Sequence, residues 1–193
     1  MRIRERIRNG EPYRFDDHPE LIGGVRRAQA LLERFNATPF ARREERDRLL
    51  RELLADFGEE ATVRTPFHCD YGDGISVGDR AFVNFNTVML DTAPIVIGAD
   101  SQLASGVQLL TAGHPLEPGR RRDGWESGEP IEIGENVWLG AGVLVCPGVS
   151  IGHNTVVGAG GVVVADLPEN VLAVGNPAKP ICELGGSRGP RPG

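Results

Sequence analysis

One aliphatic residue every six positions governs what this chain can fold into. Ile133, Leu139, Val145, Ile151, Val157 and Val163 follow one another at that interval. Four residues beyond these anchors come small or β-branched residues: Val137, Val143, Val149, Thr155 and Gly161. The same phase runs upstream through Val77, Val83 and Met89, and after a two-residue slip through Ile97, Leu103 and Leu109. An amphipathic helix drifts out of phase with a period of six, and a half-buried strand alternates with a period of two. A solenoid keeps it: short straight strands meet at tight turns, with one aliphatic side chain per hexad pointing to the axis. Gly134-Glu135-Asn136 and Gly152-His153-Asn154 supply the turn chemistry after their anchors. A single coil cannot bury its inner face, but stacked coils can. A β-sandwich with coincidental spacing is the competing architecture, and six anchors in one register count against it.

Before about residue 62 the pattern is helical. Leu21, Ile22, Val25, Ala28, Leu31, Leu32 and Phe35 have helical spacing, with Pro19 at a first helical position and His18 as a candidate cap. A second helix is expected to open at Thr38-Pro39, carry the stripe Leu49, Leu50, Leu53, Leu54 and Phe57, and stop at Gly58. The charged residues between these positions read as a solvated face, or as a subunit contact.

The 193 residues suit one domain with a small appendage. A hydrophobic fraction of 40% and a charged fraction of 25% exclude a wholly disordered chain. Apolar runs are only a few residues long, so no membrane span is expected. MRIRERIRNG lacks the apolar core of a signal peptide, which points to the cytoplasm. The net charge of -6 counts against nonspecific nucleic-acid binding. Cys69, Cys146 and Cys182 are too few and too scattered for a disulfide framework or a zinc ribbon. These features divide the chain into a helical cap (1–60), a β-helix (61–184) interrupted at about 112–130, and a disordered tail (185–193).

The hexads resemble those of the left-handed parallel β-helix acyltransferases, a mainly β fold. Within them the chain is similar to the maltose, galactoside and nodulation-type sugar O-acetyltransferases. The segments that carry the likeness are Phe67-His-Cys-Asp-Tyr-Gly72, Val83-Asn-Phe-Asn86, Val88-Met-Leu-Asp91 and Thr111-Ala-Gly-His-Pro115. To these add Ile133-Gly-Glu-Asn-Val-Trp-Leu-Gly140, Pro147-Gly-Val-Ser-Ile-Gly152 and Val174-Gly-Asn-Pro-Ala178. Arg8-Asn-Gly-Glu-Pro-Tyr13 resembles the family's helical cap, so the likeness spans roughly residues 5–184.

The resemblance implies transfer of an acetyl group from acetyl-CoA, a cosubstrate rather than a tightly bound cofactor, to a sugar hydroxyl. A hydroxyl is a poor nucleophile and needs a base, and a neutral imidazole suits that task near pH 7. His114, at the start of the broken repeat, is the candidate for direct attack on the thioester. The resemblance points to the backbone N–H of Ala141 as a donor to the attacked carbonyl oxygen. It assigns Asp70, Asn84 and Asp91 to acceptor recognition, against the alternative of turn-making and rung capping. Glu126 would orient or hydrogen-bond the acceptor. Asp17, with Asp16 as the alternative, would be the acceptor-binding acid of the cap.

Trp138 occupies an outward hexad position, where an indole can line a slot for the pantetheine arm. Lys179, the only lysine, resembles the family's basic residue that meets the coenzyme. Ala159 and Val164 would contribute backbone contacts. The chain departs from the family where a Thr-Lys pair reads Val164-Ala165 and a second basic residue reads Cys182. A weaker phosphate grip follows, or recruitment of a tail arginine such as Arg188.

The family's sites lie between adjacent chains of a trimer, so a homotrimer is expected, with no nucleic-acid or membrane partner. Two rivals stand: a γ-carbonic-anhydrase-like metal lyase, and a noncatalytic binding scaffold. The lyase needs three histidine ligands, and His18, His68, His114 and His153 have no suitable spacing, so no metal site is expected. The sequence leaves the acceptor open among maltose, glucose, galactosides, chitin-like oligosaccharides and nonsugar alcohols.

Overall fold

A computed structural model describes residues 3–185. Of the expected tail only Gly185 falls within that range, and Arg188 lies outside the described residues. The chain folds as a left-handed parallel β-helix with three flat faces, preceded by helices. The first sheet stacks Asp56–Phe57, Ile75–Val77, Ile95–Ile97, Ile131–Ile133 and Ser150–Ile151. The second begins with Thr62–Val63, Phe82–Val83 and Gln102–Leu103. It continues through Trp138–Leu139, Val156–Val157 and Val171–Gly175. The third stacks Phe67–Cys69, Thr87–Leu90, Gln108–Leu110, Leu144–Val145 and Val162–Val163. All of these rungs pair in parallel, which excludes the β-sandwich.

The hexad anchors make the interior. Leu139, Val145, Val157 and Val163 have no exposed surface, nor have Val77, Val83, Met89, Leu103 and Leu109. Each such side chain contributes roughly 1.5–3 kcal/mol by leaving water. Backbone polar groups are satisfied between coils, as in Gly140 N–H to Val157 O and Gly98 N–H to Ile133 O, both 2.8 Å. Where the first sheet turns into the second, Asn136, Asn154 and Asn170 take left-handed φ of 53°, 59° and 58°. Asparagine tolerates that region better than most residues. Their amides form a ladder, each donating to the next at 2.9 Å.

The helices close one end. They are α1 (Ile3–Arg8), α2 (Pro19–Ala37) and α3 (Arg43–Leu53). Leu31, Leu32, Phe35, Leu49, Leu50 and Leu53 join the same apolar cluster as Val63, Phe67 and Ile75. Asn36 from α2 exchanges hydrogen bonds with the backbone of Phe67, 2.9 and 3.0 Å, which pairs an open strand edge. Pro19 opens α2 as expected, but Thr38 does not open the next helix. It closes α2, its hydroxyl donating to Arg34 O at 2.7 Å, and α3 starts only at Arg43. The helical stripe also ends early: Leu54 caps α3, and Phe57 lies in the first rung, paired with Val77. β-Ladder pairing captures Phe57, so the β-helix begins before residue 61.

Extra residues enter at one corner only, where the third sheet turns into the first. From Glu132 to its partner Ser150 a coil takes eighteen residues, but from Ser76 to Val96 it takes twenty. From Val96 to Glu132 the step is thirty-six, and the excess is the segment after Thr111. That segment holds a strand, Ala112–Gly113, the short helix α4 (Pro118–Arg122) and a returning strand, Trp125–Gly128.

Candidate active site

The inserted segment stands as a small antiparallel sheet with the cap. Ala112 pairs with Gly128 and Gly113 with Ser127; the strand ends there, and His114 follows it on the side of Glu126. On the other side Tyr13 pairs with Glu126 and Arg14 with Trp125. The Tyr13 hydroxyl donates to Glu126 Oε2 at 2.8 Å. Burial, followed by this carboxylate, pushes the Tyr13 pKa up. The His114 side chain is exposed and makes no hydrogen bond among the described residues. Asp17 is exposed nearby in sequence, 3.7 Å from the Arg14 guanidinium.

Beneath this sheet lies the turn after Phe67–Cys69. Asp91, in the next coil, has no exposed surface. Its Oδ1 accepts the N–H groups of Asp70 (3.1 Å) and Tyr71 (2.8 Å), and its Oδ2 that of Gly74 (3.1 Å). Burial raises the Asp91 pKa, and the backbone donors and Arg4 oppose that rise. Asp91 therefore holds the turn, as the rung-capping alternative has it. Asp70 is half-buried, and burial, then Asp91 and Glu126, push its pKa up to about 6. Asp70, Asp91, His114 and Glu126 thus share one corner.

Asn84, Ala141 and Ala159 lie on the opposite edge of the third sheet, where the second sheet turns into it. Phe85, Ser105, Ala141 and Ala159 stack there. Gly106 N–H donates to Phe85 O, Gly142 N–H to Ser105 O and Gly160 N–H to Ala141 O. Positive φ at Gly106, Gly142 and Gly160 turns the chain tightly. The N–H groups of Ala141 and Ala159 donate to no acceptor among the described residues, which leaves them open to a carbonyl oxygen. Asn84 sits on this edge too, its Oδ1 accepting from Phe85 N–H at 2.9 Å. Trp138 is 47% exposed on the adjoining second sheet, between Gln102 and Val156.

Lys179 is exposed on the antiparallel strand Ala178–Glu183, opposite Val174. Past Arg122 it is the only lysine or arginine among the described residues. Val164, 54% exposed, follows the rung Val162–Val163 and so belongs to the His114 edge. A coil face of about six residues spans roughly 20 Å. One chain therefore keeps His114 and Ala141 apart by about the width of a sheet.

The four histidines do not converge. His18 precedes α2, and His68 faces outward on the third sheet. His153 Nδ1 accepts Glu135 N–H at 3.0 Å in a turn between the first and second sheets. Among the described residues no group of three or more His, Cys, Asp or Glu is placed to share a metal. Among them also no helix is long and apolar enough to cross a membrane. Arg4, outside the candidate set, contacts Asp73, Thr92 O and the Tyr71 ring. No pattern in a strip alternating arginine with isoleucine and glutamate marks it in advance.

Residues 6–58 match the maltose acetyltransferase hexapeptide capping motif, and residues 130–165 match the bacterial transferase hexapeptide profile of six repeats. Nodulation protein L of Rhizobium meliloti (strain 1021) is 43% identical over 176 residues, which cover 91% of this chain and 96% of that protein. The crystal structure of a maltose O-acetyltransferase from Clostridium difficile 630 superimposes with a TM-score of 0.91 at 38% identity, covering 95% of this chain and 98% of that one. A galactoside acetyltransferase in complex with coenzyme A gives 0.89 at 37% identity, covering 95% and 92%.

Proposed function

The chain belongs to the hexapeptide-repeat acetyltransferases of the maltose and galactoside type, and from that premise we propose that it transfers acetyl from acetyl-CoA to a sugar hydroxyl with His114 as general base. The acceptor hydroxyl gives its proton to an imidazole nitrogen while its oxygen attacks the thioester carbonyl. A C–O bond forms, and the carbonyl electron pair moves to the oxygen, where the Ala141 N–H donates a hydrogen bond. The C–S bond then breaks, and the coenzyme A sulfur takes the proton back from the imidazolium. Asp70, Glu126, Asp17 and Asn84 hydrogen-bond the acceptor. Trp138, Ala159, Val164 and Lys179 bind the coenzyme. A site built to pair hydroxyls rejects analogues that leave its polar groups unmatched.

The observation that carries this reading is the pairing of Gly113 with Ser127 and of Glu126 with Tyr13, which leads the chain into His114 beside Glu126, with Asp70 coupled to the same carboxylate. The separation of that corner from the open N–H of Ala141 supports a homotrimer, in which the His114 edge of one chain faces the Ala141 edge of the next. The galactoside and maltose names of the relatives support a sugar acceptor. Three free thiols suit a reducing compartment, the cytoplasm.

The test couples mass to turnover. Thiol release from acetyl-CoA is followed with a panel of hydroxylated acceptors, beside sedimentation at micromolar concentration. His114→Ala is expected to abolish acetylation of the best acceptor with the melting temperature unchanged, and wild-type turnover to sediment as a trimer. A monomer with full turnover, or a His114→Ala variant that keeps most of it, refutes the shared site or its base.

A further inference from the structure

We propose that Arg4 of α1 is a positioning residue for the acceptor half of the site, acting on Asp70 through the turn that Asp91 holds. The inference rests on the reading of the Asp70 corner as the acceptor side. Arg4 reaches 88 residues along the chain to donate through one Nη to Thr92 O at 3.2 Å. Its other Nη donates to Asp73 Oδ1 at 2.5 Å and to Asp91 O at 3.4 Å, and stands 4.0 Å from Asp91 Oδ2. The guanidinium carbon lies 3.9 Å above the centre of the Tyr71 ring.

One planar fork thus ties both sides of a corner: Tyr71 and Asp73 from one coil, Asp91 and Thr92 from the next. Its geometry is what an arginine supplies and a lysine does not. Arg8 adds a bond to Asp73 O at 3.0 Å, and the apolar cluster Ile3, Ile7, Tyr13, Leu21 and Tyr71 seats α1 on the corner. The Arg4 side chain is only 17% exposed, packed over the Tyr71 ring, while its partner Asp73 stands half-exposed at the rim.

Asp70 begins the turn so clamped. Burial pushes the Asp70 carboxyl up, the neighbouring carboxylates of Asp91 and Glu126 add to that, and among the described residues Arg4 is the cation that opposes it. The two carboxylates favour its protonated form and Arg4 favours the carboxylate. Arg4 thereby sets both where Asp70 points and the pH at which it can accept a hydrogen bond from a substrate hydroxyl.

The test compares wild type, Arg4→Met and Arg4→Lys in acetyl transfer to the best acceptor, with the Asp70 carboxyl titrated by carbon-13 NMR in each. Arg4→Met is expected to raise the acceptor KM about tenfold, the scale of one lost charge-assisted hydrogen bond, and leave the acetyl-CoA KM within about twofold. It is expected to move the Asp70 midpoint, and the acidic limb of kcat/KM for the acceptor, to higher pH. Arg4→Lys restores the midpoint, because the charge returns, and only part of the KM, because the fork does not. An unchanged acceptor KM, or both KM values rising together, overturns the proposal. An unmoved Asp70 midpoint in Arg4→Met overturns it as well. A wild-type protein that acetylates none of the acceptors refutes the proposed function instead, and the Asp70 titration then decides the Arg4 linkage alone.

Discussion

Replacing Asp91 by Asn tests the corner with almost no change of shape. The native carboxylate is wholly buried and accepts three backbone N–H groups. An asparagine that keeps its oxygen at the Oδ1 position still serves Asp70 and Tyr71, but its NH2 then meets the Gly74 N–H, where Oδ2 stood at 3.1 Å. The opposite orientation sets the NH2 against two donors and is worse. An orphaned buried donor costs about 1–3 kcal/mol. The two surviving bonds lose their charge assistance, about 1 kcal/mol each. Relief from burying a charge opposes these losses, in keeping with the raised Asp91 pKa. The expected net destabilisation is about 2–4 kcal/mol, a fall in melting temperature of about 5–10 °C for a chain of this length. Circular dichroism at fixed protein concentration measures it, and the acceptor KM is expected to rise in parallel, since the Asp70 turn loosens. A melting temperature within about 1 °C of wild type would show that the carboxylate does not hold this turn.

Two further outcomes follow from the same geometry. Leu103 has no exposed surface and lies between coils, so Leu103→Ala should cost about 2–5 kcal/mol in urea unfolding, and a loss under 1 kcal/mol contradicts a packed interior. Lys179→Ala should raise the KM for acetyl-CoA about two- to fivefold, an exposed ion pair's worth, and shrink the preference over its 3′-dephospho form. An unaltered preference removes Lys179 from phosphate recognition.

The β-helix was legible because its interior is specified one residue at a time: each hexad anchor is buried, and the left-handed Asn86, Asn136 and Asn154 each follow an anchor by three residues. Boundaries were less so. Leu54 and Phe57 fit a helical stripe, yet they lie outside α3 because a rung is available to pair Phe57 with Val77, and local spacing does not report that competition. Within the site, the motif around His114 marks the broken repeat from sequence alone. The role of Asp91 does not follow from its type: only the third dimension shows its oxygens consumed by Asp70, Tyr71 and Gly74. Arg4 acts across 88 residues, a separation that no periodicity encodes.

The position of the insertion is itself a consequence of packing. At the corner between the first and second sheets, coils approach so closely that a Cβ on Gly98 would lie 2.5 Å from the Gly134 carbonyl carbon, and the asparagine ladder fixes the stacking distance. At the corner between the second and third sheets, each turn donates to the one below through Gly106, Gly142 and Gly160. Added residues at either corner would break a continuous column of hydrogen bonds. Only the third corner tolerates them, because Asp91 and Arg4 satisfy with side chains the backbone groups that a longer turn leaves unpaired. The segment that carries His114, the proposed base, can therefore grow only from that edge, while the tight glycine turns with their open N–H groups can form only on the other. If the proposed halves of the site stand on opposite edges of one sheet, a second copy has to bring them together, and the assembly proposed for this chain would then follow from where its coils can be lengthened.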